Sequence, residues 1–327
     1  MSNRSRFAGT LRRVFRPRVC GPGLPEACFW TLAVLVSQAV CALSVAALVL
    51  WCSGGWPSDE ATWGAAIESL LEPPYPSILI GCGALLPVLV GVPAVVTRCG
   101  RGWREKLSLR TPRADLVLLA LGATLPLTVV SAALHDAANG WWQSLVTARP
   151  ELAGLPTQDA MGVVRGQFAG GSLWLLVATV ALGPALIEEF VFRGLIGRGL
   201  TARWGVPAGV LLTTVLFAAV HLSPPYAVAV IPLGLFLHVA YLATRSLKAV
   251  IGLHFANNLF AAAAARWGLG SGLDVAPPLV LISLGTVVGI AGLLWEFRDR
   301  PTTAGRTQAV TGTALGGFTV LFVTAAL

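Results

Sequence analysis

Apolar runs of roughly 18–25 residues recur along the chain, each long enough to cross a ~30 Å hydrocarbon core as a helix. Short stretches between them hold nearly all of the charge. The pattern predicts spans near 27–52, 75–97, 114–134, 171–192, 206–222, 226–243, 249–265, 277–296 and 309–327. The expected fold class is therefore an all-α polytopic membrane protein, a helical bundle of about 8–9 transmembrane helices. The first run is too long for the apolar core of a signal peptide and lacks a small-residue cleavage site. It reads as an uncleaved anchor.

Polar breaks divide the chain. Residues 1–24 form a basic arm, 25–170 hold the N-terminal spans and an outer loop, 171–265 a core, and 266–327 the C-terminal spans. The outer segment 135–170 contains Gly140-Trp141-Trp142, Pro150 and Pro156, which reads as an interfacial loop with aromatic anchors. The Gly285–Gly289 spacing permits close helix contact. No internal repeat stands out, which disfavours inverted-repeat transporter folds.

Composition sharpens the class. Hydrophobic residues make up 55% of the chain and charged residues 12%, against about 25% charged in a soluble domain. The net charge of +8 suggests nucleic acid only until its placement is read. Twenty of the 23 Lys and Arg fall before the first span or after the second, fourth, sixth and eighth, one face if the spans alternate. The positive-inside rule then makes this a multi-pass cell-membrane protein with a cytoplasmic N-terminus. The basic loops face anionic lipid headgroups of the bilayer, and no nucleic-acid partner is needed. The six cysteines all lie in the first third without a CxxC pair, so they read as small packing residues.

The fourth run holds the feature that most needs explaining. From Leu173 to Ile187 no residue is charged, and then Glu188-Glu189 follow. A charge at the bilayer centre costs roughly 2.5–3.5 kcal/mol on insertion scales. Arg193 follows four residues after Glu189, and later apolar runs carry His221 and then His254 with Asn258. At ~100° per residue, Glu189 and Arg193 lie about 40° apart on one helix face, and Glu188 and Arg193 about 140°. Arg193 then neutralises Glu189 and leaves Glu188 free. An unpaired carboxylate in a low dielectric suits a general base near neutral pH. His254 and Asn258 share one face by the same spacing, as do Phe217 and His221.

One carboxylate, two imidazoles and an amide are the parts needed to activate water and stabilise an oxyanion. Glu188, His221 and His254 are equally the parts of an N/O metal site with an open position. No HExxH occurs, which excludes an ordinary zincin. A lone intramembrane Glu is often a proton relay or a structural ion pair, and His238, His135 and Asn257 read as packing or edge residues. Two other classes stay open on these residues: a proton-coupled transporter using Glu188 and His221, and a catalytically silent membrane scaffold or regulator.

The three elements resemble a known family. Glu188-Glu189-Phe-Val-Phe-Arg193 looks like the EExxxR motif of the type II CAAX prenyl endopeptidase and bacteriocin-processing (CPBP, Abi) intramembrane proteases. Phe217-Ala-Ala-Val-His221 resembles its FxxxH, and His254-Phe-Ala-Asn-Asn258 its HxxxN. The likeness covers roughly residues 170–262, and His238 departs from it where the family often has a small residue.

The resemblance implies a CAAX-protease-like hydrolase with an intramembrane catalytic cavity, acting on a peptide or membrane-protein substrate, prenylated or not. Glu188 and His221 would activate water, His254 and Asn258 would hold the oxyanion, and Glu189 and Arg193 would be structural or orienting. Family members have been described both as metalloproteases and as glutamate-dependent. The reading adopted is that no cofactor is required, with zinc on Glu188, His221 and His254 as the alternative. One geometric difficulty accompanies it. At ~1.5 Å per residue, His254 lies roughly 9 Å from Lys248 but His221 roughly 27 Å from Arg203. Either 194–206 enters the membrane or Lys248 is not at its surface.

Overall fold

The computed structural model describes residues 21–54, 56–71, 75–152, 173–267 and 276–299. Among the described residues every regular element is helical, as expected where lipid offers the backbone no hydrogen-bond partner. Six helices are long and apolar enough to cross a membrane: Leu24–Cys52, Ala114–Ala148, Val177–Ala219, Pro224–Thr244, Leu247–Ala264 and Pro277–Glu296. Pro87–Cys99 is a shorter apolar helix. The expected fourth and fifth spans both fall in Val177–Ala219, which Gly205 breaks into two helical arms, and the expected ninth, 309–327, lies outside the described residues.

In chain order, α1 is Leu24–Gly54, α2 Glu60–Leu71, α3 Tyr75–Cys99, α4 Trp103–Lys106, α5 Ala114–Leu121 and α6 Thr124–Ala148. A short α7, Leu173–Leu176, leads through a π-helical segment, Val177–Leu182, into α8, Gly183–Glu188. A second π-helical segment, Glu189–Gly197, continues into α9, Arg198–Ala219. Then come α10 Pro224–Ala229, α11 Ile231–Thr244, α12 Leu247–Arg266 and α13 Pro277–Glu296.

The stretch Gly183–Gly197 runs through the middle of the bundle, touching α1, α3, α9, α11 and α12. All nine residues of its π segment are buried. Gly91 of α3 lets it approach, since a Cβ there would meet Ile187 Cδ1 at 2.3 Å.

Gly205 makes the bend that defines the core. Its φ of 78° and ψ of 170° lie in a region essentially restricted to glycine. The chain reverses there, and Pro207 falls in the first turn of the returning arm, where its missing N–H costs nothing. The arms touch backbone to backbone: a Cβ on Gly209 would meet the Thr201 Cα at 2.5 Å.

A strap from the loop after α3 closes one end of the bundle. Leu247 N–H donates to Ser108 O at 2.9 Å, Ser246 Oγ to Arg110 O at 2.7 Å, and Arg198 to Lys106 O. Arg110 also donates to the Thr244 carbonyl and pairs with Asp299 beyond α13. The basic arm is anchored where it ends, because Arg203 donates to Gly21 O and Pro22 O.

One expectation changes. The outer loop placed from residue 135 is helical to Ala148, where Trp142 is 5% exposed on a helix that packs on α10. A Cβ added at Gly285 or Gly289 would meet nothing within 4 Å. The described cysteines carry free thiols, and of these Cys99 is buried.

Gly205→Ala should destabilise the protein by about 1–3 kcal/mol, the usual cost of forcing a side chain into this region. Thermal melting in detergent measures it, and an unchanged midpoint would show that the corner relaxes freely.

Candidate active site

The site is built where helix type changes. Glu188 closes α8 and Glu189 opens the π segment. Bonding i→i+5 puts more residues in each turn, so Glu189 and Arg193 align more closely than the α-helical ~40°. Arg193 Nη1 donates to Glu189 Oε1 at 2.7 Å, and Nη2 donates to Gly234 O at 2.8 Å. The guanidinium carbon stands 4.5 Å from the centre of the Phe217 ring. Arg193 and Glu189 are both 0% exposed, so each depends on the other for charge compensation.

Glu189 also reaches a second element. Its Oε1 accepts from His254 Nδ1 at 2.8 Å. A carboxylate accepts only, so Nδ1 carries the proton and the ring is oriented by this bond. The other nitrogen, Nε2, faces Glu188 Oε2 at 3.9 Å. That oxygen has no hydrogen-bond partner among the described residues. The two adjacent carboxylates thus grip opposite edges of one imidazole, one tightly and one loosely.

His221 arrives by the bend at Gly205. Trp204 is sixteen residues past Glu188, and His221 is fifteen past Val206, so arms of near-equal length bring the two level. The depth difficulty dissolves here, because the basic residues used for the count stand at different heights. The strap touches both Arg198 and Leu247, which sets these two level and leaves Arg203 further out. His221 Nδ1 donates to Phe217 O at 3.0 Å, leaving the Nε2 lone pair free as an acceptor. The Phe217 ring lies 5.3 Å from the His221 ring and 5.9 Å from the His254 ring, centre to centre. Glu188 is within electrostatic reach of His221, and His221 of His254.

The remaining residues take minor places. Asn258 Nδ2 donates to Val180 O at 3.4 Å, one turn along α12 from His254, and Asn257 donates to Asn258 Oδ1 at 3.4 Å. His238 is buried within electrostatic reach of Arg193, its ring against Gly197, where a Cβ would come within 2.5 Å of Cε1. The missing side chain at Gly197 makes room for the departure noted at His238. His135 is next to the exposed Asp136 at 3.4 Å, remote in sequence from the site.

One neighbour escaped the sequence reading. The Tyr226 ring lies 5.1 Å from that of His221, edge on. Leu222, with φ of 57°, and Pro224-Pro225 turn the chain between them, so helical spacing offers no signal for this contact.

Among the described residues no three His, Cys, Asp or Glu side chains gather as ligands for a metal ion. His254 Nδ1 is engaged by Glu189 and His221 Nδ1 by a backbone carbonyl, which leaves both Nε2 atoms available beside Glu188.

Residues 170–260 match the family model described as Type II CAAX prenyl endopeptidase Rce1-like, the family that the three motifs resemble. No curated protein and no solved structure matches the chain. The matched segment contains Glu188, Glu189, Arg193, His221, His254 and Asn258.

Glu189→Gln should leave the Arg193 charge buried without its counter-ion, at a cost of about 3–5 kcal/mol. A sharp drop in folded yield and melting temperature after detergent extraction is expected. A melting temperature equal to that of the parent would mean that Glu189 does not compensate Arg193.

Proposed function

We propose that this protein is an intramembrane endopeptidase in which Glu188 is the general base that activates water. The observation that carries the reading is the unequal treatment of two adjacent buried carboxylates. Glu189 is bonded to Arg193 and His254 through Oε1, with Oε2 unpartnered, while Glu188 makes no hydrogen bond at all among the described residues and its Oε2 faces an imidazole edge. A base must have an oxygen open to the proton it takes.

Water would bind between Glu188 and the His221 Nε2 lone pair, each accepting one O–H. As the water oxygen attacks the peptide carbonyl, its proton passes to Glu188 and the carbonyl π electrons move to oxygen. Transfer of that proton to His254 Nε2 gives an imidazolium held by Glu189, which donates to the oxyanion and then to the leaving nitrogen. Asn258, on the same face of α12, would assist with its second amide N–H. Arg193 acts through Glu189 and is a positioning residue. No metal takes part in this scheme.

The basic loops support a cytoplasmic side for the N-terminus, the Gly205 corner and the strap, and the substrate would be served from there. The substrate class is a peptide or membrane protein, with prenylated C-terminal segments one form of it. A proton relay would need polar residues spread along a path; here they gather around one imidazole.

Glu188→Gln should abolish cleavage of a verified substrate, by at least ~100-fold, while expression and membrane insertion stay normal. Activity equal to wild type would end the endopeptidase reading. Exhaustive chelation should leave the wild-type rate unchanged within about twofold; stoichiometric zinc lost and regained together with activity would show instead that His221 and His254 are ligands.

A further inference from the structure

Once attack begins, the oxyanion needs a donor that already carries its proton and is not committed elsewhere. His254 Nδ1–H is given to Glu189, and its Nε2 faces a carboxylate. The Asn258 amide points at the Val180 carbonyl. His221 gives Nδ1–H to Phe217 O and has only a lone pair left. The side chains named by the three motifs therefore offer acceptors and committed donors, apart from the second amide N–H of Asn258.

Tyr226 is different. Its ring sits edge on to His221 at 5.1 Å between centres, and Glu188 lies within electrostatic reach of it. Tyr226 is half-buried, and its hydroxyl makes no hydrogen bond among the described residues, so its O–H is an uncommitted donor. Its position is imposed by the backbone. Ser223 N–H closes onto His221 O at 2.6 Å, and Pro224-Pro225 start α10 with fixed φ, holding the ring next to the imidazole.

Resting on the endopeptidase reading, we infer that Tyr226 is a further catalytic residue, its hydroxyl donating a hydrogen bond to the scissile carbonyl oxygen as negative charge develops there. The phenol keeps its proton throughout. The water proton goes to Glu188, the new C–O bond forms from the water lone pair, and the carbonyl π pair becomes the oxyanion that the O–H of Tyr226 meets. His221 binds the water and Tyr226 the carbonyl, so two rings in edge contact align nucleophile and electrophile.

Tyr226→Phe tests this, because it keeps the ring contact and removes the donor. The probe is a mixture of synthetic farnesylated Cys-Ala-Ala-Xaa peptides and transmembrane peptides, with cleavage read by mass spectrometry in proteoliposomes. Wild type, Glu188→Gln and Tyr226→Phe are compared on whichever peptide wild type cleaves. The expected result is a kcat lower by about 10- to 100-fold for Tyr226→Phe, with KM within about twofold and an unchanged melting temperature. Tyr226→Leu should lose at least as much, since the ring goes too. Wild-type kcat in Tyr226→Phe, with Glu188→Gln inactive, would overturn the assignment and leave the endopeptidase reading standing. A wild-type protein that cleaves nothing in the mixture, or a Glu188→Gln protein as active as wild type, would overturn both.

Discussion

A guanidinium with no exposure at all stands at the centre of this bundle, and the arrangement around it answers to that charge. Arg193 is met by Glu189 along its own helix, by the Gly234 carbonyl from α11, and by the face of Phe217 from α9. Each contact comes from a different element, so satisfying one cation fixes the relative placement of three helices. Glu189 then spends the same oxygen on His254, drawing in α12 as a fourth. A buried pair of this kind is weak evidence for stability, since well-packed apolar residues often do as well. Its value here is positional: it sets the direction of the His254 ring and leaves Glu188 as the uncommitted carboxylate.

Backbone irregularity serves that placement. The π segment begins at Glu189, so the change of winding separates the roles of two neighbouring glutamates. Gly205 then returns the chain alongside itself, and the equal arms bring His221 level with Glu188. The strap holding Ser246 and Leu247 fixes the start of α12 and hence the height of His254. In lipid such departures survive only where protein surrounds them, which is the case for the wholly buried segment Glu189–Gly197.

What was legible in the sequence was what depends on local spacing. The i, i+4 relation foretold the Glu189–Arg193 bond, and the charge-free run before Glu188 marked the place of the candidate site. Relations across helices were hidden. Nothing in spacing says that His254 takes Glu189 as its partner, or that Tyr226 lies on His221 beyond a left-handed residue and two prolines. Hydropathy found the apolar segments: among the described residues six helices meet the length and composition for crossing, one of them broken in two at Gly205, against about 8–9 expected with 309–327 outside the described residues. A run of apolar residues does not reveal that Gly205 folds two arms back against each other. The outer loop failed for a related reason, since the burial of Trp142 is a tertiary event.

The central claim is that one ion pair organises the site without being the source of the fold's stability. A double-mutant cycle on Glu189→Leu and Arg193→Leu, read by thermal unfolding in detergent, tests it most directly. Each single variant strands a buried charge and should melt well below wild type. The double variant should melt above both, with a coupling of about 2 kcal/mol or more, and should still be inactive. Additive losses in the double variant would show that the two charges do not compensate each other, and would contradict the account.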